Sequence, residues 1–416
     1  MKKAASRLHA ACAAAALAFA AAAASGACAA APADQALASA RIAEGPKGRE
    51  FYYDVPTTVP AGAERGDILW MHKRDDAPPG SEGWRMIYVT EGVGGKLTYT
   101  GGEIYVPAGN PGSAERRVVL WNHPTAGNQD ACAPSWGGDP SVRNRAGRER
   151  VPAIAELLKR GYVVVMSDYQ GLGTPGGTSY MDGPLDAKAS LDAVRALRNF
   201  PHARAGKRLV QYGFSQGGQT TLWAASLAKT YAPELEILGG MAIAPAVNTL
   251  GLTEWDIKYP PMAAYLVTTV AGLNISHPEL RLRDILTPTG MELLATMASG
   301  CFAARETVQS ITEPVARPEA LEPGQPWRTM FDANDDFYSA DIAAPIVIYQ
   351  GDKDLDVPVD LTRTVFGRMC AMGLRVEYRE VADRNHGTVV ADARDAAPDW
   401  FDARFEGRPA ASNCRS

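Results

Sequence analysis

The stretch Arg208-Leu-Val-Gln-Tyr-Gly-Phe-Ser215-Gln-Gly-Gly-Gln-Thr-Thr-Leu-Trp223 sets a Gly-x-Ser-x-Gly turn between a strand-like run and a helix-like run. A serine at the apex of such a turn needs small residues two positions before and after it, because side chains there would collide as the backbone reverses. Gly213 and Gly217 meet this need. The pattern predicts an accessible Ser215 hydroxyl. It also predicts that the backbone N–H of Gln216 lies at a helix N-terminus, where it can stabilise an anion.

The pentapeptide alone is a weak signal, because the chain has 40 glycines in 416 residues and an ordinary Gly-rich turn would also explain it. A candidate acid follows downstream. Residues 345–351 form an apolar, β-branched run that ends in Asp352, Asp354 and Asp356. Asp354 is the predicted acid, since the fourth residue of Gly-x-x-Asp-x-x-Val-Pro turns faces the histidine in folds of this kind. The other two aspartates are the competitors, as turn-capping or solvated groups.

The candidate base is His386, which follows a strand-like segment at 375–381 and precedes the last helical segment. His123 also lies at a strand end, but it precedes the serine, and the expected chain order is nucleophile, acid, histidine. The remaining histidines lie in the leader, in polar segments or in an inserted region: His9, His72, His202 and His277.

These three residue types form one chemical unit. A serine becomes a good nucleophile when an imidazole accepts its proton, and a carboxylate holds that imidazole in the right tautomer. The sequence therefore predicts a serine hydrolase in which Ser215 attacks, His386 shuttles the proton and Asp354 orients the ring. The alternatives are an acyltransferase or peptidase on the same scaffold, and a non-catalytic binding module that keeps the fold.

A second oxyanion donor is expected in the loop after the strand-like run 117–121, which reads Asn122-His-Pro-Thr-Ala-Gly127. Loops at this place supply a backbone N–H in such hydrolases. Thr125 is the predicted donor and Ala126 the next candidate, because Pro124 has no N–H. A simple Pro/Gly turn is the competing interpretation.

The N-terminal segment and the net charge indicate where the protein is located and which partners it lacks. A charged start, Met1-Lys-Lys, and an alanine-rich run predict a signal peptide over residues 1–29, and hence a secreted or periplasmic protein. The run is too short and too weakly apolar for a membrane span. A lipid-modified Cys28 is a weaker alternative, since Ser25 stands where an aliphatic residue is usual. A net charge of −5 leaves no basic surface for nucleic acid.

The mature chain keeps four cysteines in an oxidising compartment, which predicts two disulfides: Cys132, Cys301, Cys370 and Cys414. Sequence alone permits three pairings. None of the spacings makes a zinc-type Cys-x-x-Cys cluster, so no metal site is predicted.

The alternation of strand-like and helix-like segments predicts an α/β protein with a mostly parallel sheet flanked by helices on both faces. We assign residues 30–248 and 341–416 to this core and 249–340 to a helical cap, or lid, above the serine. Two early segments, 83–89 and 97–106, are expected to pair antiparallel. Five apolar cap residues either line the pocket or pack the insertion against itself: Met262, Tyr265, Leu266, Leu293 and Leu294.

Several motifs together resemble a known family. They are Tyr88-Val-Thr-Glu-Gly with Gly101-Gly-Glu-Ile-Tyr-Val-Pro107, His123-Pro-Thr-Ala-Gly with Cys132-Ala-Pro-Ser135, Asp168-Tyr-Gln-Gly-Leu-Gly-Thr-Pro-Gly176, and Gly213-Phe-Ser-Gln-Gly-Gly218. From about Trp84 to the last helix, the chain resembles the α/β-hydrolases of the secretory lipase family, which includes fungal lipase A-like enzymes and exported bacterial relatives.

The resemblance implies an α/β-hydrolase fold with a helical cap, no cofactor, and hydrolysis of small-molecule or lipid carboxylic esters. It also implies that Cys132 pairs with Cys301, which leaves Cys370 for Cys414. One departure is His-Pro-Thr at 123–125, where the family more often has His-Gly-Thr.

Overall fold

Apolar strands and intervening helices build one central sheet in this computed structural model. The structure describes residues 42–109, 111–137, 153–297, 300–301, 308–335, 337 and 342–414. The predicted signal peptide at 1–29 therefore lies outside the described residues.

Nine strands of the described chain form the sheet, in the spatial order β1-β2-β3-β5-β4-β6-β7-β8-β9. Their bounds are β1 Ile68–Arg74, β2 Ser81–Glu91, β3 Leu97–Pro107, β4 Arg116–Asn122, β5 Val163–Ser167, β6 Ala205–Phe214, β7 Glu236–Ile243, β8 Ile346–Gly351 and β9 Val376–Val381. The first three strands pair antiparallel, and β3 pairs antiparallel with β5. From β5 to β9 all neighbouring strands are parallel, which confirms the predicted α/β-hydrolase class of fold.

The helices connect and cover these strands. Their bounds are α1 Glu50–Tyr53, α2 Gly183–Arg198, α3 Gln216–Tyr231, α4 Thr249–Lys258, α5 Ala263–Ser276, α6 Leu282–Ile285, α7 Pro288–Met297, α8 Pro326–Asn334, α9 Val359–Ala371 and α10 Val389–Phe405. Short 3₁₀ turns occur at Val93–Gly95, Asp130–Cys132, Pro201–Ala203, Pro260–Met262 and Pro318–Leu321.

Side chains on the central strands alternate between two apolar layers, because successive residues of a strand point to opposite faces. Val118 and Leu120 of β4 pack on the face covered by α2, α3 and α9. Val119 and Trp121 of the same strand pack on the face covered by α10. Fully buried strands are therefore apolar at nearly every position, as expected for a parallel sheet with helices on both sides.

The parallel strands end at a common edge, and the loops that follow them meet there. Ser215 follows β6, Asn122 ends β4, and the aspartate-rich loop follows β8. His386 lies in the loop between β9 and α10. The sheet topology thus gathers residues that are far apart in the chain.

Five of the described helices, α4 to α8, lie between β7 and β8, within the segment 249–340 that is assigned to a cap from the sequence. They have an apolar core of their own, which includes Leu266, Val270, Leu293, Trp327 and Phe331. A disulfide joins Cys132, in the loop after β4, to Cys301 in the cap, and a second joins Cys370 to Cys414. These are the pairs implied by the family resemblance.

A buried carboxyl at the end of α8 gives the cap a pH-dependent contribution to stability. Burial raises the pKa of Asp335 from about 3.8 to about 6. Between about pH 4 and pH 6 the folded chain therefore binds more protons than the unfolded chain, so this group lowers the free energy of unfolding as pH rises. The substitution Asp335→Asn removes this pH-dependent contribution. We expect its effect on the free energy of unfolding to be more stabilising at pH 7 than at pH 4, by up to about 3 kcal/mol.

Urea unfolding of both proteins at pH 4, 5.5 and 7 measures this difference. Asp332→Asn, which removes an exposed carboxyl three residues earlier, is the matched control for loss of one negative charge. Equal effects of the Asp335 substitution at all three pH values would contradict the prediction.

Candidate active site

Ser215 stands at a strained turn between β6 and α3. Its φ and ψ are 56° and −118°, a region that side-chain-bearing residues rarely occupy and that persists only where the surroundings enforce it. A Cβ on Gly213 would collide with the carbonyl oxygen of Gly217, and one on Gly217 would collide with the carbonyl oxygen of Asn122. The glycines at these two positions therefore allow the close approach of backbone that the turn requires.

The structure brings Ser215, His386 and Asp354 into one hydrogen-bonded chain. Ser215 Oγ lies 2.9 Å from Nε2 of His386. The Nδ1 atom of the same ring lies 2.8 Å from Oδ2 of Asp354. Since a carboxylate can only accept, Nδ1–H is the donor in the second bond, and Nε2 is left to accept from the serine hydroxyl.

The Asp354 carboxyl is held on all sides. Its Oδ1 accepts the backbone N–H groups of Asp356 and Val357, at 2.9 and 2.8 Å. Its Oδ2 accepts Nε2–H of Gln350 at 2.9 Å, and Thr362 in turn donates to Oε1 of that glutamine. The carboxyl is thus buried but satisfied, and its orientation towards His386 is fixed.

Gln350 was not singled out by the sequence. It is a fully buried residue of β8 that holds the acid loop to the strand below it. A glutamine in an otherwise apolar strand, four residues before the candidate acid, is the signal that could have identified it.

The competing aspartates and histidines have other environments. Asp352 is exposed, and Asp356 is half-buried beside the serine. His123 is buried, and its ring stacks on Tyr169 with the centroids 4.1 Å apart.

Three further histidines bond elsewhere, His72 to the Gly45 carbonyl, His202 to Glu82 and His277 to Glu279, and His9 lies outside the described residues. Of the described histidines, His386 is the one that contacts the serine hydroxyl.

The two candidate oxyanion donors lie beside Ser215 on different elements. Gln216 is the first residue of α3, where backbone N–H groups have no partner within the helix. Thr125 lines the cavity at the serine, and its hydroxyl lies 2.7 Å from the hydroxyl of Tyr180. Ala126, the second candidate, packs instead in an apolar cluster with Cys132 and Cys301.

The side chain of Gln216 points away from the serine and into the core. Its Nε2–H donates to Oδ2 of Asp186, at 2.8 Å, and both side chains are buried. Burial raises the pKa of Asp186 well above its ordinary range, which favours the neutral form of this carboxyl. The bond ties the start of α3 to α2 and so fixes the helix N-terminus next to the serine.

A cavity of about 190 Å³ opens at the serine and is lined by Pro124, Thr125, Phe214, Ser215, Tyr265, Asp356, His386 and Gly387. A smaller lobe of about 30 Å³ shares Ser215, His386 and Tyr265 and reaches into the cap, where Met262 and Asp256 line it. A larger groove of about 590 Å³, lined mainly by charged residues such as Arg195 and Glu234, includes none of these groups.

The five apolar cap residues divide between the two expected roles. Met262 and Tyr265 line the cavity at Ser215. Leu266, Leu293 and Leu294 pack within the apolar core of the cap. The cap therefore covers the serine with one end of α5 and uses the rest of its apolar surface for its own stability.

No helix of the part of the chain that the structure describes is long and apolar enough to cross a membrane.

Comparison with known proteins relates this chain to lipases. The sequence model of the family "Secretory lipase" matches residues 149–316. The secreted triacylglycerol lipase LIP4 of Malassezia globosa is 27% identical over 363 residues, which cover 80% of this chain and 75% of that protein. Lipase 6 of Candida albicans is 25% identical over 89% of this chain and 84% of its own length.

Solved structures show the same fold. Candida antarctica lipase A superposes with a TM-score of 0.71 at 22% identity, over 86% of each chain. The rice cell wall degrading esterase LipA from Xanthomonas oryzae superposes with a TM-score of 0.63 at 18% identity, over 83% of this chain and 98% of that one. The resemblance indicated by the sequence motifs is thereby confirmed, and this chain is a secreted carboxylic ester hydrolase with an α/β-hydrolase fold, related to the secretory lipase family.

Proposed function

We propose that this protein cleaves carboxylic esters through an acyl-enzyme formed on Ser215, with His386 as general base and acid and Asp354 as the group that orients the imidazole. The observation that carries the proposal is the continuous chain of hydrogen bonds from the Ser215 hydroxyl through both ring nitrogens of His386 to Asp354. These are the contacts required of a nucleophile, its base and the group that sets the tautomer of the base.

In the first half-reaction, Ser215 Oγ forms a bond to the ester carbonyl carbon while its proton passes to Nε2 of His386. The tetrahedral intermediate then collapses, the bond to the alcohol oxygen breaks, and Nε2–H protonates the leaving alcohol. In the second half-reaction, a water attacks the acyl carbon and gives its proton to Nε2, and the carboxylic acid leaves as Ser215 regains its hydrogen.

We assign the oxyanion to the backbone N–H groups of Gln216 and Thr125. The first lies at the N-terminus of α3, where the helix dipole also favours negative charge. The second lies in the loop after β4, which lines the cavity together with the serine. The hydrogen bond from Gln216 to Asp186 supports the first assignment, because it holds this helix start in place before substrate arrives.

The nucleophile assignment is tested by covalent labelling with a fluorophosphonate. The serine oxygen is expected to displace fluoride from phosphorus, and one phosphonyl group per chain should be found on the peptide that contains Ser215. Intact-protein mass spectrometry measures the stoichiometry, and peptide sequencing locates the label.

The control is His386→Gln, which removes the base and should slow labelling by more than about 100-fold. A label on another residue, or no label on wild-type protein that hydrolyses p-nitrophenyl acetate, would refute the assignment.

A further inference from the structure

One carboxyl beside the catalytic serine has no role in the proposed mechanism. Asp256 of α4 is 5% exposed and lines the small lobe of the cavity together with Ser215 and His386. Its Oδ1 is buried and has no hydrogen-bond partner among the described residues. Buried polar atoms are nearly always satisfied, so an unpaired carboxyl oxygen at a substrate cavity calls for a ligand.

The position of Asp256 is fixed by contacts between the cap and the loop that carries Asp354. The neighbouring side chain, Trp255, donates its ring N–H to the carbonyl oxygen of Leu355, at 2.9 Å. This bond holds α4 against the acid loop, and Asp356 of that loop lines the same lobe. Two carboxyl groups, one from the cap and one from the core, therefore lie at the cavity of the serine.

The remaining walls of the lobe offer Asp256 little. Leu252, Met262 and Val357 are apolar, and the Tyr180 hydroxyl is already bonded to Thr125. Tyr265 and Thr269 add two hydroxyl groups to the walls, but neither pairs with Oδ1 of Asp256. The lobe has a volume of about 30 Å³, enough for one or two water-sized groups. It is therefore too small for an acyl tail, but it has room for a single polar substituent.

We propose that Asp256 binds a hydroxyl group of the substrate, so that this enzyme prefers short esters that carry a hydroxyl near the scissile bond. The inference rests on the proposed function, because the cavity is a substrate site only if Ser215 is the nucleophile.

A hydroxyl fits better than an ammonium group. Burial, followed by the nearby Asp356, raises the pKa of Asp256 well above its ordinary range, which favours the neutral form of the carboxyl. A neutral carboxylic acid has one donor and one carbonyl acceptor, which match the acceptor and donor of a hydroxyl. Binding an ammonium would first require ionisation of a carboxyl in a nearly dry site.

The test compares kcat/KM for matched pairs of esters on wild-type enzyme. In the acyl pair, p-nitrophenyl 3-hydroxybutyrate is compared with p-nitrophenyl butyrate. In the alcohol pair, 2-hydroxyethyl butyrate is compared with propyl butyrate. We expect the hydroxylated ester of at least one pair to react about tenfold faster or more, and the pair that discriminates shows which side of the ester occupies the lobe.

Asp256→Val should bring that ratio close to one, because the hydroxyl then loses its partner. Glu254→Val is the matched control, since it makes the same substitution at an exposed position of the same helix and should keep the wild-type ratio. Asp256→Ala replaces the valine variant if the latter does not fold. Because each ratio is measured on one protein preparation, differences in the amount of active enzyme cancel.

The outcomes separate this inference from the proposed function. If the wild-type enzyme hydrolyses none of the four esters, that result counts against the proposed function. Hydrolysis of all four with ratios near one would overturn only the hydroxyl subsite. A preference for the hydroxylated ester that survives in the folded Asp256 variant would also overturn it, as would a stronger preference for p-nitrophenyl 3-aminobutyrate.

Discussion

Replacing Ser215 with alanine is expected to lower kcat for p-nitrophenyl butyrate by about 10⁶-fold, with little change in stability. The large effect follows because, in the proposed mechanism, the hydroxyl oxygen is the side-chain atom that bonds to the substrate, and His386 has nothing to activate without it. The alanine methyl group fits where the serine Cβ lies, so the turn at Gly213 and Gly217 keeps its geometry. The loss is measured as the steady-state kcat at saturating ester, and thermal unfolding confirms that the variant is folded.

Ser113→Ala is the control for this substitution. Ser113 is an exposed residue of the loop before β4, at the opposite edge of the parallel strands from the site, and its removal should leave kcat within about twofold. A Ser215→Ala variant that keeps even a tenth of wild-type activity, in a preparation free of contaminating esterase, would show that the nucleophile is another residue.

The sequence was informative about the site where local chemistry dictates structure. A serine between two glycines, at the junction of a strand and a helix, leaves the backbone few alternatives, and Ser215 indeed has a strained positive φ. The expected chain order then led to His386 and Asp354, which hydrogen bond to each other and to the serine. The antiparallel pairing of β2 with β3 was also predicted, because both segments are apolar and separated by a short turn.

Features that depend on distant contacts were not predictable in this way. The edge strand β1 was missed, since its apolar run is only four residues long, 68–71, and is followed by His72, Lys73 and Arg74. Five apolar cap residues looked equivalent in sequence, but only Met262 and Tyr265 line the cavity. Asp256 lies in a helix with other charged residues, as a surface aspartate would, and only the packing of α4 against the acid loop shows that it is buried.

Two of the three elements that carry the proposed triad are held by contacts outside it. The start of α3 is tied to α2 through Gln216 and Asp186, and the acid loop is tied to β8 through Gln350. Both hydrogen bonds are buried, so water competes little for the groups that make them. Such supports fix the donors and acceptors before substrate binds, which is the condition for electrostatic stabilisation of a transition state.

Changing Asp354 to asparagine is expected to lower kcat by about 10⁴-fold while the site remains assembled. The amide oxygen can still accept the backbone N–H groups of Asp356 and Val357. The amide N–H₂ group would then take the place of Oδ2, so the hydrogen bond that Oδ2 accepts from Gln350 would be lost. Facing Nδ1 of His386, the N–H₂ group favours the tautomer with the proton on Nε2, and that nitrogen can then no longer accept from the serine hydroxyl. The variant should also react more slowly with a fluorophosphonate, because that reaction needs the same base.

Asp352→Asn is the matched control for this loss, because Asp352 is an exposed carboxyl of the same loop and has no contact with the imidazole among the described hydrogen bonds. Its kcat should stay within about threefold of wild type, since removal of a solvated surface charge has small effects. The reverse result, with Asp352→Asn inactive and Asp354→Asn active, would show that Asp352 is the acid that orients the imidazole. Equal small losses in both variants would mean that the activity does not depend on a carboxylate at the imidazole.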